Sequence, residues 1–316
     1  MKRCAVILML LYAASVFADS ADTQSRTLPP DAPEEFEVLR EALHDQATFE
    51  RQMRVFDRLH IGIARALYIK AREHEEAGEA EEALAASAQA QHHLQLVKEA
   101  YDMGLARFGR SAVLHNYYGE LLHDFLARPN EAAQYWRRAV QLDPKLARAH
   151  GNFGMYAMHN GMYGMGLDSM DRALELEPNN PDLLFNMTQV YLAHFPQIMQ
   201  HRKWDRPRVY REAMKLSARA ARLAPHAFDV VRDYALNYFL AEDFGAPVKW
   251  RDAARAWEKA REAANTDAER FNTWLNEARV HIRNNDSRRA QACLEQARAI
   301  WPDSPLVEQL LEDFKN

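Results

Sequence analysis

Two cysteines in 316 residues, Cys4 and Cys293, leave no disulfide framework and no paired thiols for a zinc ribbon or a redox motif. Glycine is scarce as well, at 11, and no alternating strand pattern interrupts the long Ala/Leu/Glu/Arg runs. Basic residues do not exceed acidic ones. The net charge of −5 supplies no field for nucleic acid. No apolar run reaches the length of about 20 residues that a spanning helix needs, so stable membrane insertion is not expected. Ser/His/Asp sets, glycine-rich phosphate loops, His-Glu-x-x-His and Cys-x-x-Cys spacings are all missing. These absences point away from an enzyme, a resident cofactor and a metal.

What is present is a repeated pattern. The stretch Ala147 to Asn180 is 34 residues long, with Phe153 and Gly154 at positions 7 and 8, Gly161 at 15, Tyr163 at 17, Ala173 at 27 and Pro178 at 32. Small residues let two antiparallel helices approach, Gly161 allows the turn between them, and Pro178 stops the second helix. The register returns from Phe271, with Trp274, Ala278, Asn285, Ala290, Ala297 and Pro302 in place, and around Gly119, Ala132, Trp136 and Ala139 before Pro144. Pro181 opens a further first helix (Leu184, Met187, Tyr191). Its second helix (Ala213, Ala220, Pro225) follows an insertion of about 13 residues, Phe195 to Pro207, read as a long loop. Phe228 opens another unit, with Tyr234, Ala235 and Tyr238 and then Ala253, Trp257 and Ala260.

This pattern resembles the tetratricopeptide repeat (TPR), a helix-turn-helix unit of 34 residues. The resemblance implies an all-α fold, a right-handed superhelical solenoid of antiparallel helix pairs, with about five repeats over residues 110–304. Residues 35–109 read as a helical N-terminal part of degenerate repeats or longer packed helices, and 305–316 as a capping helix. Met1 to Ala18 reads as a cleaved signal peptide, with Lys2 and Arg3 before an apolar Ala5–Ala14 core and a Val16-Phe17-Ala18 cleavage site. Residues 19–34, with Pro29, Pro30 and Pro33, read as a flexible tether. Arginine outnumbers lysine 31 to 9, a bias of GC-rich bacterial genomes, so export would place the protein in the periplasm. Cleavage would leave Cys293 alone, as a core residue on a second helix.

The first helices of a TPR solenoid line its concave groove. Position 6 there is Asn152, Asn186 and Asn276 in three repeats and Asp233 in a fourth, with Asn116 near it in the first. An amide both donates and accepts, so such a column suits the backbone of an extended peptide. It looks like the asparagine ladder of the glycosyltransferases that add N-acetylglucosamine to Ser and Thr, in the ladder only. Met155, Met158, Phe185 and Phe239 would add apolar anchors, and Arg232, Arg279 and Arg283 positive charge for an acidic end. The lysine-rich carboxylate clamp of chaperone adaptors is missing from these faces. The expected partner is a peptide segment or helix of another exported or envelope protein. The likeness is to the TPR assembly factors of bacterial envelopes, which serve outer-membrane insertion, pilus biogenesis, cytochrome maturation or polysaccharide export.

Two other readings stand beside it. Met155, Met158, Met162 and Met165 with His159 form a soft set that suits Cu(I), against methionine as adaptable packing. A structural subunit of an oligomer is the third. Trp204 with His201, Arg202, Lys203 and Arg206 in the insertion offers an aromatic and basic surface, against a side chain packed on the solenoid edge. The thirteen histidines carry no metal spacing: His92 and His93 are adjacent, and His115 and His150 read as surface or packing residues.

Overall fold

The computed structural model describes residues 33–313; the expected signal peptide and the expected tether as far as residue 32 lie outside them. The described residues hold 15 α-helices and two short 3-10 turns, with no strand among them. None of these helices is long and apolar enough to cross a membrane. The helices fall into two compact units, residues 33–176 and 177–313 of the described chain.

The first unit opens with α1 (Pro33–Glu41) and a 3-10 turn, followed by two long helices, α2 (Gln46–Ala77) and α3 (Ala80–Arg107). Asp45 caps α2 by accepting a hydrogen bond from the Thr48 amide at 2.8 Å, and left-handed Gly78 ends it. Phe49, Met53, Phe56, His60, Ala64, Leu67 and Ala71 recur at helical spacing on one face of α2. They meet a matching face of α3 that includes Ala90, Leu94, Val97, Ala100 and Tyr101. Each fully buried Phe, Leu or Met contributes roughly 1.5–3 kcal/mol. This stripe therefore holds the helical hairpin together. Two shorter pairs follow: α4 (Ala112–Asp124) with α5 (Pro129–Leu142), and α6 (Ala147–His159) with α7 (Tyr163–Leu176).

The α6–α7 pair shows why the sequence carries its small residues where it does. A Cβ on Gly154 would lie 2.7 Å from Met170 Cγ and 3.1 Å from the Gly166 carbonyl oxygen. Only a residue without a side chain allows that approach. Gly161 joins the helices at φ +77°, in the left-handed region. Asn285 takes φ +56° at the same place in the last pair, a conformation that Asn tolerates better than most residues.

The second unit carries α8 (Pro181–Ala193), α9 (Phe195–Arg202), α10 (Arg206–Leu223), α11 (Phe228–Leu236), α12 (Trp250–Glu262), α13 (Asp267–Arg283), α14 (Ser287–Ile300) and α15 (Pro305–Asp313). Helix α8 packs on α10, α11 on α12, and α13 on α14. One expectation is corrected here: Phe195 to Pro207 is not a loop. Pro196 sits in the first turn of α9, Lys203 closes that helix at φ +55°, and Ile198 is fully buried. Asp205 then caps α10 by accepting from the Arg208 amide, so Arg206 and Pro207 already belong to α10. Trp204 packs edge-on against Tyr191 with ring centroids 5.8 Å apart, and the Arg202 and Arg208 guanidinium groups lie over its ring. Phe244, in the segment after α11, is buried against the rings of Phe195 and Tyr210. At the C-terminal end, Val307 of α15 is fully buried in a cluster with Phe271, Leu275, Leu294 and Ala297.

Candidate functional site

The position-6 column sits on the first helix of each pair, and its members are held in two different ways. In the first unit, Asn152 donates from Nδ2 to Asn116 Oδ1 at 3.1 Å and to Glu120 Oε1 at 2.7 Å. Asn116 itself is buried and donates to the same Glu120 oxygen at 2.9 Å. Arg148 grips Glu120 with two bonds, at 2.5 and 2.8 Å, and lies over the Tyr117 ring. The amide nitrogen of Asn152 is thus anchored on the preceding repeat. Its carbonyl oxygen, Oδ1, accepts no bond from the described residues.

Asp57 of α2 belongs to the same polar neighbourhood. Burial, together with the negative charge of Glu120, raises its carboxyl to about 7. The buried Tyr101 hydroxyl beside it opposes that rise by its interaction with the carboxylate. Glu120 and Asp57 escaped the sequence reading, the first because it stands outside position 6, the second because it comes from a helix that precedes the repeats. A carboxylate one turn beyond a first-helix Asn carries no signal until the neighbouring helix is placed.

In the second unit Asn186 is half-buried, and its side chain makes no hydrogen bond to the described residues. Phe185, next to it, is half-buried as well. Asp233 is different: Oδ1 accepts from Gln189 at 2.9 Å and Oδ2 from Asn237 at 3.0 Å. Burial raises its carboxyl to about 6 even though both bonds oppose the rise. Asn276 is buried, donates to the backbone and side-chain oxygens of Asn272, and accepts from Arg279 at 2.9 Å. Burial, then the charge of Arg283, lowers the Arg279 pKa. Arg283 is exposed and lies over the rings of Phe239 and Trp250, 3.9 Å from Glu242. Arg232 pairs with Asp229 at 2.8 Å and covers Phe228, while its Nε is buried without a bond.

The expected ladder is therefore corrected in part. Asn276 and Asp233 spend their side-chain bonding on neighbours in the same unit, because Asn272, Arg279, Gln189 and Asn237 reach them first. Met158 is fully buried and Met155 is 7% exposed, since the Gly154–Gly166 approach closes α7 over that face of α6. Neither methionine presents its sulfur as a groove anchor. Of the soft set that suits Cu(I), Met158 is core, whereas Met165 is 49% exposed and His159 is exposed on α6. The buried Met155 and Met158 are packing. Burial lowers the His150 pKa, and its ring bonds the Pro144 carbonyl oxygen at 3.1 Å, a packing role at the start of α6.

The sequence reading also passed over a cluster on the last pair. Glu277 and His281 of α13 and Cys293 of α14 are all buried and bring their ligand atoms within 4.8 Å of one another. Burial, followed by the charge of Glu277, pushes the Cys293 thiol up to about 12. The spacing of four between Glu277 and His281 was readable as one helix face; the cysteine on the partner helix was not.

No protein-family model matches the chain, and no curated protein matches it. Solved structures do. The C-terminal part of a TPR repeat-containing protein from Cytophaga hutchinsonii is 16% identical, with 87% of this chain and 99% of that one covered at a TM-score of 0.52. PilW, a type IV pilus biogenesis factor, is 13% identical over 79% of this chain and 98% of its own, at 0.51. YrrB, a TPR protein with an unusual peptide-binding site, is 19% identical over 68% of this chain and 99% of its own, at 0.50. At these identities the likeness is one of fold. The chain has the tetratricopeptide-repeat fold.

Proposed function

We propose that the chain is a non-enzymatic scaffold that captures an extended segment of a partner protein on its first-helix faces. The observation that carries this reading is Asn186 of the second unit, whose whole amide makes no bond among the described residues. In the first unit, taken by itself, Asn152 at the same repeat position keeps its amide oxygen unbonded among the described residues. A peptide backbone offers an N–H and a C=O at every residue, which is what such amides accept from and donate to. Phe185 beside Asn186 supplies apolar contact, and Arg283 over Phe239 and Trp250 supplies charge for an acidic side chain.

The site of action belongs to this proposal too. Met1 to Ala18 reads as an export signal, so the partner is expected to be an exported or cell-envelope protein. The fold is compatible with that role: PilW serves type IV pilus biogenesis and YrrB has a peptide-binding site.

The test is affinity capture from a periplasmic extract with the full chain as bait, wild type beside Asn186→Ala. The substitution removes one donor and one acceptor, each worth about 1 kcal/mol, so it should weaken retention of a peptide-binding partner about tenfold or more. Asn186→Ala should leave the melting temperature unchanged, because that amide supports nothing in the fold. A partner retained equally by wild type and Asn186→Ala would move the binding surface away from this helix face.

A further inference from the structure

We propose that Glu277, His281 and Cys293 form a zinc site between α13 and α14. This site is separate from the peptide-binding reading. Glu277 and His281 lie one turn apart on α13 and so project from one face, and Cys293 faces them from the antiparallel α14. The three ligand atoms already lie within 4.8 Å of one another, and each residue is at most 5% exposed.

The independent sign is the imidazole. His281 Nδ1 is buried with no hydrogen-bond partner, and Nε2 stands in ion-pair contact with Glu277 Oε1 at 3.6 Å, longer than a hydrogen bond. An orphaned ring nitrogen on a buried histidine is uncommon in a folded protein, and a metal ion bound through one ring nitrogen is a recognised use of such a residue. Arg261 of α12 takes the other Glu277 oxygen, Oε2, and lies over the Trp274 ring at 3.5 Å. It orients the carboxylate and leaves Oε1 for the cation, as an outer partner does in metal sites.

The donor set selects the ion. One thiolate, one imidazole and one carboxylate suit Zn²⁺, whereas magnesium and calcium prefer oxygen alone. In tetrahedral zinc sites the donor atoms stand roughly 3.3–3.8 Å apart, so the cluster closes on the ion by side-chain rotations of about 1 Å. Binding replaces the thiol proton, which leaves to solvent, and sets two anionic ligands against the two charges of the ion. The way in is an open cleft of about 1170 Å³ lined by these three residues with Trp250, Arg255 and Arg289. Three protein ligands leave a fourth position for water on that side.

The experiment uses the full chain carrying Cys4→Ser, kept reduced, so that Cys293 is its single thiol. Zinc affinity is measured by competition with a chromogenic chelator, and cobalt(II) is added in parallel as a spectroscopic stand-in. The expected result is one equivalent of zinc and a thiolate-to-cobalt charge-transfer band, which in this protein can arise only at Cys293. His281→Gln and Glu277→Gln should each weaken zinc binding at least tenfold, and Cys293→Ser should abolish the band. Circular dichroism shows whether each variant is folded. Absence of the band and of stoichiometric zinc in the Cys4→Ser chain overturns the site without recourse to any variant. Zinc bound as tightly by folded His281→Gln as by its parent also overturns it.

Discussion

A buried carboxyl whose proton is held past its usual range makes stability depend on pH in a direction that can be stated in advance. Asp57 is raised from 3.8 to about 7 by burial and by Glu120, with the Tyr101 hydroxyl, Arg148 and Arg58 opposing. Across that window the folded chain keeps a proton that the unfolded chain has released, so stability falls as pH rises through it. The side chain is half-buried by area, so solvent screening reduces the effect to about 1–2 kcal/mol. Asp233, raised to about 6, tilts the curve the same way over a narrower range. Asp57→Asn should therefore stabilise the protein at pH 8 relative to wild type and make little difference at pH 4. Urea denaturation at the two pH values checks this; equal gains at both would assign the substitution to packing. The same residue scale explains why Asn186 is the better probe of binding than Asn152, whose amide also holds Glu120 and Asn116 in place.

Among the elements, α9 tells most about what an insertion does in this fold. Its eight residues are anchored by Ile198, fully buried, while Phe195 reaches Phe244 at 5.1 Å. A solvated loop would tolerate Ile198→Ala at almost no cost. A packed helix loses the transfer free energy of the removed carbons plus a cavity term, about 2–4 kcal/mol. Chemical denaturation separates the two, and a loss under about 0.5 kcal/mol would mean that α9 is not a packed element. The sequence hid this helix because only Ile198 of its eight residues is buried, and one apolar position sets no period. Pro196 does not oppose the helix, since it sits in the first turn, where the missing N–H costs nothing.

For the molecule as a whole, repeat stability is a sum of intrinsic terms and contacts with the next neighbour, so the ends matter. Helix α15 covers the apolar end of the last pair with Val307, against Phe271 and Leu275. Removing residues 305–316 should speed amide hydrogen exchange in α13 and α14 more than in α8; uniform exchange across these helices would deny α15 a capping role. Much of this fold was legible in the sequence. The helix pairs follow from small residues, prolines and apolar positions at set spacings within about 34 residues, and such local patterns survive without knowledge of the neighbours. Apolar spacing marked residues 35–109 as helical but left open degenerate repeats or longer packed helices, and only the packed structure shows the long pair α2 and α3. The polar chemistry was decided by tertiary structure alone. Asn152, Asn186, Asp233 and Asn276 look alike as letters at one repeat position. Whether each amide or carboxylate is spent depends on whether Glu120, Gln189, Asn237, Asn272 or Arg279 comes within about 3 Å of it. Likewise Met158 became core and Cys293 met Glu277 and His281 only once the helices packed, because burial and ligand geometry are properties of facing surfaces rather than of any one stretch of chain.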